Sequence, residues 1–445
     1  SMIARKLHEQ IPVLTIEKEL EEAQEDLNIT LSERQKEAVR MVFANPICII
    51  TGGPGTGKTT VLKVILYIYQ KKCGNEVKLM APTGRAARRM AESTGNGDAT
   101  TMHMALGLFG DGDYEALTDK LSADFINADE VSMVDMHLAY EFFYKVKAGA
   151  RVLLVGDVHQ LPSVGAGDVF RQLILCGKIP VTVLNLVYRQ GKDSNIPINA
   201  QLINEGKTNL QWGDDFQMVE CSGADAAAQI VKNIYLKEIQ MYGMEQVQIL
   251  SPYKVRSAAG VLELNRSLQD EVNPPVSGKR ELHLGGEIFR EGDRILQNKN
   301  TEFASNGDLG TLVQIAEDED NNPLVQIVFT DGRRVKYEAE QVEMIEHANA
   351  ITIHKSQGSE CQVVIIPWLK AFYPMLKRNI FYTGITRAKQ RVYIVGEWKA
   401  VCQAIHTDDT GTRKTMLAVK IQQYCERYQR QENRRIPATI CNRAV

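Results

Sequence analysis

Residues 47–59 read ICIITGGPGTGKT, a short apolar run that breaks into a glycine-rich turn and closes on Lys58-Thr59. Residues 61–72, VLKVILYIYQKK, follow with helical spacing. The stretch fits G-x-x-x-x-G-K-[ST] in the context where that pattern has physical meaning, between a strand and a helix. Gly52, Gly55 and Gly57 let backbone N–H groups turn inward, and the helix N-terminus adds the positive end of its dipole. Lys58 would then reach the β- and γ-phosphates of a nucleoside triphosphate, and the Thr59 hydroxyl would ligate Mg²⁺. Gly53, Pro54, Thr56 and Thr60 complete the candidate cradle.

Beyond this loop, short apolar runs alternate with amphipathic stretches: VKLMA at 77–81, RAARRMAES at 85–93, RVLLVGD at 151–157. That alternation predicts βαβ units and a helix-covered parallel sheet. A second series (VQILSP at 247–252, CQVVIIP at 361–367, RVYIVGE at 391–397) predicts a second α/β domain. Between its strands, residues 275–345 carry turn signals (NGDLG, DEDNN, TDG) separated by alternating β-rich runs, the pattern of a small inserted antiparallel barrel. A D-G turn near 108–121 predicts a projecting hairpin. The expected organisation is an acidic, solvent-facing helical lead-in over 1–30, a first domain over 31–190, and a second over 191–274 and 346–405. A basic tail over 406–445 follows, with eight Lys/Arg against two Glu from 411 onward.

Composition narrows the class. With 445 residues, 44% apolar and 24% charged, the chain has the makeup of a globular protein of about three units. A formal net charge of −3 rules out a histone-like basic surface and says nothing about a local groove. The eight cysteines (48, 73, 176, 221, 361, 402, 425, 441) include no C-x-x-C pair, so buried free thiols are expected rather than a zinc or iron–sulfur site. No apolar run reaches the length of a membrane span and SMIARKLHEQ lacks a signal-peptide core, so a cytoplasmic protein is expected. Ser1 ahead of Met2 reads as a cloning remnant, which leaves room for a longer natural chain.

A nucleotide site of this type also needs a carboxylate for the metal and a base for water. Asp129 and Glu130 in FINADEVSMVD fit those two roles. In LLVGDVHQLP at 153–162 the loop leaves a strand end of an open α/β sheet, where Gln160 is placed to sense the γ-phosphate. Arg189 in YRQ and Arg387 in YTGITRAK each stand beside a strand-like run, and taken alone a solvated or structural arginine is the plainer reading.

In order along the chain, GGPGTGKT, APTGRAA, TMHMALG, DEVSMVD, GDVHQLP, YRQ, ILSPYK, ITIHKSQGSE and YTGITRAK resemble the motif series of superfamily 1 helicases, and most of all the RecD-like branch. The resemblance covers roughly residues 30–400. It implies an α/β fold of two RecA-like P-loop NTPase domains with parallel sheets. The 275–345 insert becomes an SH3-like barrel and the 108–121 hairpin a strand-separating pin. It implies ATP and Mg²⁺ as cofactors and 5′-to-3′ movement on single-stranded or tailed duplex DNA. Recombination–repair subunits become possible partners, and no membrane is involved.

Residue by residue, the resemblance gives Gln35 to the adenine edge, and Gly358 and Glu360 to ribose and phosphate. Arg189 and Arg387 would reach the γ-phosphate across the interdomain cleft. Thr83, Gly84, Arg85, His103, Thr352, His354 and Lys355 would line the single-strand channel, as hydroxyls, amides and helix N-termini position phosphates without reading sequence. Two features depart from the family. Only about 30 residues precede Gln35, and the candidate pin carries Asp111, Asp113 and Asp119, which leaves Phe109 and Tyr114 as its better wedges. Two alternatives remain open at this stage: a nucleic-acid-binding scaffold with an inactive or gating ATP site, and a P-loop NTPase acting on a small molecule.

Overall fold

The computed structural model describes residues 1–74, 76–108, 119–185, 194–301, 303–319, 322–409, 413 and 415–435. Near-continuous apolar runs become strands buried on both faces, as parallel sheets require. In the first domain these are β1 (Ile47–Gly52), β2 (Val77–Ala81), β3 (Thr100–Thr101), β4 (Phe125–Ala128), β5 (Arg151–Gly156) and β6 (Val181–Leu184). They form one parallel sheet in the order β3-β2-β4-β5-β1-β6. The helices covering it are α1 (Met2–Leu7), α2 (Glu17–Asp26), α3 (Glu33–Ala44), α4 (Lys58–Cys73), α5 (Gly84–Thr94), α6 (Met102–Ala105), α7 (Met136–Lys145) and α8 (Val169–Leu175). Because β4, β5 and β1 are neighbours and parallel, the loops that follow them leave the sheet at the same edge.

The second domain opens with α9 (Asn195–Asn204), β7 (Phe216–Glu220), α10 (Ala224–Tyr242), β8 (Val247–Ser251) and α11 (Val261–Val272). The chain then leaves it for a β-rich insert containing β9 (Glu281–Leu284), β10 (Glu287–Arg290), β11 (Arg294–Gln297), β12 (Leu309–Glu317), β13 (Pro323–Phe329), β14 (Arg334–Tyr337), α12 (Ala339–Val342) and β15 (Ile345–His347). Five of these strands form an antiparallel sheet, β14-β13-β12-β11-β15, around a core of its own that includes Ile295, Leu312, Ile327, Phe329 and Tyr337. The chain returns through β16 (Ala350–Thr352), β17 (Cys361–Trp368), α13 (Arg378–Ile385), β18 (Ala388–Gly396) and α14 (Trp398–His406) to complete a parallel sheet, β16-β8-β17-β18-β7. The last described helix is α15 (Leu417–Arg435).

The lead-in differs from the expected solvated helix, and part of the basic tail packs on the first domain. In α2, Leu20 and Ala23 are buried in the first domain's core, while Glu17, Glu19 and Glu22 face outward onto Arg40, Lys72 and Lys71. An acidic face can hide an apolar stripe only two residues wide, which composition does not reveal. From α15, Ile421 and Cys425 enter the same core region as Ile3 and Ala4 of α1. The Arg413 guanidinium donates to the carbonyls of Gly165 (3.0 Å) and Gly167 (2.6 Å), so the chain crosses from the second domain back onto the first. Most of the predicted hairpin, with Phe109, Asp111, Asp113 and Tyr114, lies outside the described residues.

Candidate functional site

The glycine-rich loop leaves β1 at Gly52 and enters α4 at Lys58. Gly55 (φ 74°) and Gly57 (φ 85°) occupy the left-handed region, which side chains other than glycine rarely tolerate. Gly52 has no room either, since a Cβ there would lie 2.5 Å from the Leu184 carbonyl oxygen. The Thr56 hydroxyl donates to the Gly53 carbonyl (2.8 Å). Lys58 Nζ donates to the carbonyls of Gly52 (2.5 Å) and Gly53 (2.9 Å), which sets the ammonium over the crown of the loop. No side chain caps α4, so its dipole end faces the loop.

Gln35 reaches this loop from α3. Ser32 and Gln35 form a capping box, and Gln35 Nε2 donates to the Thr56 carbonyl (3.3 Å). The glutamine is therefore buried against the loop it was expected to serve, with its amide engaged by backbone.

After β4 come Asp129 and Glu130. Glu130 sits at φ 52°, a left-handed backbone for a residue with a side chain, and such strain gathers at functional sites. The Asp129 carboxylate accepts from the Glu130 N–H (2.8 Å). Burial, then the neighbouring Glu130 charge, pushes the Asp129 carboxyl up to about 6, against the pull of Lys58 and Arg89. Lys58 is thus within electrostatic reach of the acid pair. Among the described residues no three His, Cys, Asp or Glu side chains gather as a metal cage. The donors that fit are one hydroxyl, Thr59, and one carboxylate, Asp129, which suits a Mg²⁺ that takes its other ligands from phosphate and water.

After β5, Asp157 is fully buried and accepts from the His159 N–H (3.0 Å) and from Gln160 Nε2 (3.2 Å). Among the described residues Gln160 Oε1 is buried without a partner, an acceptor held ready at this edge.

The second domain closes over the same loops. The Tyr382 hydroxyl of α13 donates to Asp157 Oδ2 (2.9 Å), and Thr383 Oγ1 accepts the Leu161 N–H (2.9 Å). Gln357 Nε2 donates to the Leu161 carbonyl (3.0 Å). Arg387, buried in the second domain, holds the carbonyls of Thr383 and Ser359 (3.2 Å each). Gly358 (φ 73°) presses against α5, where a Cβ would meet Thr83 Oγ1 at 3.3 Å. Glu360 pairs with Arg89 of α5 (2.7 Å) and, within its own domain, with Lys389 (3.6 Å). Arg189 lies outside the described residues.

The channel candidates are divided between the two domains, and two of them face the insert. Thr83 caps α5 and accepts the Ala86 N–H (3.2 Å). Gly84 faces Ser305 of the barrel so closely that a Cβ would clash. Among the described residues one terminal nitrogen of Arg85 is buried without a partner, and burial brings its guanidinium down to about 10. Thr352 accepts the Lys355 N–H (3.3 Å), while Lys355 Nζ donates to Asn298 (3.0 Å) and Asn306 (2.6 Å) of the insert. Burial lowers both His103 and His354 below the ordinary imidazole value. His354 and Gln160 share a cavity of about 330 Å³ between the domains, with Leu161, Arg171 and Lys377 in its wall.

Arg89, Asp157, Tyr382 and Thr383 belong to this site and were not singled out in the sequence. Asp157 stands three residues before Gln160, and Tyr382 and Thr383 lie inside the quoted YTGITRAK, so position within a motif was the available signal. Arg89 gives no such signal, because its partner Glu360 is 271 residues away in the chain.

A glycine-rich phosphate-type loop at the seam of two parallel-sheet domains, the second interrupted by a barrel, defines the class of two-lobed P-loop NTPases. Residues 30–224 match the family described as an AAA domain, residues 264–329 the SH3 domain of the ATP-dependent RecD-like DNA helicase, and residues 347–395 the UvrD-like helicase C-terminal domain. The chain is 34% identical to the ATP-dependent RecD2 DNA helicase of Deinococcus radiodurans, over 83% of this chain and 50% of that protein. It is 26% identical to the RecBCD enzyme subunit RecD of Haemophilus influenzae, over 86% of this chain and 72% of that one. The crystal structure of the Pif1 helicase from Candida albicans shares the fold, with a TM-score of 0.51 at 18% identity, covering 91% of this chain and all of the other. In its three matched segments and in both of these relatives, the chain is similar to RecD-like DNA helicases. It spans half the length of the Deinococcus relative.

Proposed function

We propose that this chain is the motor of an ATP-dependent DNA helicase that moves 5′ to 3′ along single-stranded DNA, with ATP and Mg²⁺ at the interdomain seam. The observation that carries the reading is the convergence there of the Lys58 loop, the Asp129–Glu130 pair and Gln160 with Tyr382, Thr383 and Gln357 of the second domain. In this reading Lys58 and the loop amides hold the phosphates, Thr59 and Asp129 hold the metal, and Glu130 orients the attacking water. Bound nucleotide supplies the charge that makes domain closure favourable. Gln160 senses the γ-phosphate, and Arg387 and Arg189 bring positive charge to it from across the seam; arginines of this kind are worth roughly 10³–10⁵ in rate. Opening and closing of the seam then alternates the grip on an unpaired strand lined by Thr83, Gly84, Arg85, His103, Thr352, His354 and Lys355. Gln35 and Gly358 border the base and sugar, and Glu360 acts through its bridge to Arg89.

Movement from 5′ to 3′, a cytoplasmic location and a role in recombination or repair are proposed with the motif resemblance, and partners of the kind found in the RecBCD enzyme on the name of the Haemophilus relative. Tailed duplexes test the reading: unwinding in the presence of ATP with a 5′ overhang and not with a 3′ overhang is expected. Unwinding with a 3′ overhang alone would overturn the assigned direction.

A further inference from the structure

A buried hydroxyl of the second domain stands against the glycine-rich loop. Tyr382, only 1% exposed, stands where a methyl on Gly53 would come to 3.0 Å of its oxygen, so it reads the loop at its closest approach. The same hydroxyl donates to Asp157 Oδ2 (2.9 Å), the carboxylate oxygen that also accepts Gln160 Nε2 (3.2 Å). Its other polar neighbours include the Asn204 side chain and, through its charge, the Arg387 guanidinium. Asp157 is fully buried and forms no ion pair among the described residues, so its charge is held by donors alone: the His159 amide, Gln160 and Tyr382. One of those three donors comes from the second domain. Among the described residues Gln160 Oε1 is left as a buried acceptor without a partner, and the amide that carries it is oriented by the bond from Nε2 to Asp157.

We infer that Tyr382 is a positioning residue for ATP hydrolysis: through Asp157 it sets the side chain of Gln160 when the second domain closes on the loop at Gly53. The hydroxyl is suited to the task because it stays protonated. Burial, then the Asp157 charge, raises it well above the ordinary phenol range, so it remains a donor at any working pH. When the domains part, Asp157 loses a donor and Gln160 is free to leave the pose that closure imposes. Domain closure and readiness for hydrolysis would then be one event.

The inference rests on the ATPase reading above, and the test separates the two. ATP hydrolysis by the whole chain is measured with and without single-stranded DNA for wild type, Tyr382→Phe, Gln160→Ala and the double variant. Tyr382→Phe is expected to lower kcat in the presence of DNA roughly tenfold or more, the scale of a lost hydrogen bond to a charged acceptor, with KM for ATP nearly unchanged. The double variant is expected to be no slower than Gln160→Ala alone, because Tyr382 acts through Gln160. Losses that multiply, or a Tyr382→Phe variant as fast as wild type, would overturn the inference. If Tyr382→Phe fails to fold, as seen by its thermal melt, Asp157→Asn carries the same comparison. A wild-type chain that hydrolyses ATP without regard to DNA would instead count against the motor reading itself.

Discussion

The molecule builds a strand–loop–helix unit twice in comparable places, and only one of the two is fit for phosphate. After β1, three glycines carry the chain into α4, and the Gly52 and Gly53 carbonyls are taken up by the Lys58 ammonium. After β8, the loop PYKVRSAAG leads into α11, but its own backbone occupies the helix start: Val261 N–H donates to the Tyr253 carbonyl (3.0 Å) and Leu262 N–H to that of Lys254 (3.1 Å). Where the first loop uses glycine at positive φ, the second holds Arg256 at φ 62°. The shared topology does not make a phosphate site. What matters is which groups satisfy the first amides of the helix. The second domain accordingly meets the first domain's loops from outside, through Tyr382, Thr383 and Gln357.

The sharpest way to break this comparison is to remove the charges assigned to the first loop. Lys58→Ala and Arg387→Ala should each lower DNA-stimulated kcat by roughly 10³-fold or more, with Arg387→Lys little better because an ammonium cannot reproduce the guanidinium fork. Steady-state ATPase assays measure both. Next in size is Glu130→Gln, expected to cost about 10²–10⁴ in kcat while nucleotide binding, followed by fluorescence of a labelled analogue, is retained.

Acidity gives a third handle. With Asp129 titrating near 6, the carboxylate that would hold the metal is mostly protonated by pH 5. The Mg²⁺ concentration giving half-maximal ATPase should therefore rise roughly tenfold between pH 7 and pH 5, and a Mg²⁺ titration at each pH measures it. The stability sign is opposite to that of a salt-bridged acid. Between the ordinary carboxyl value and about 6, the folded state keeps a proton that the unfolded state has released. The stabilisation is present below that window and lost as pH rises through it, so Asp129→Asn should melt higher than wild type at pH 7–8. The smallest effect belongs to the second loop: Arg256→Gly should relieve about 1 kcal/mol of left-handed strain, seen as a modest rise in Tm, while calorimetry still counts one nucleotide per chain.

How far the sequence foretells this site depends on distance along the chain. The Lys58 loop is contiguous, so its strand, glycines and helix all declare themselves within about 25 residues. The two sheets and the barrel follow from runs of similar length, although the insert's sheet extends to His347, two residues past the expected border. The capping box of Ser32 and Gln35 was equally local and could have been read from S-x-x-Q before an apolar-periodic helix. Nothing local announces that Arg89 meets Glu360, that Arg88 of α5 pairs with Asp331 of the barrel (3.0 Å), or that Tyr382 finds Asp157. Those pairings exist only once two domains and an insert have docked. The docking of α15 escaped for another reason: Ile421 and Cys425 form a thin apolar stripe within a strongly basic helix, and composition averages it away.

ATP hydrolysis by the whole chain, followed as single-stranded oligothymidine is added, tests the account at its centre. A seam that couples Lys58 to the second domain predicts turnover that rises with DNA and vanishes in Lys58→Ala. Turnover that ignores DNA, or that persists in Lys58→Ala, would contradict it.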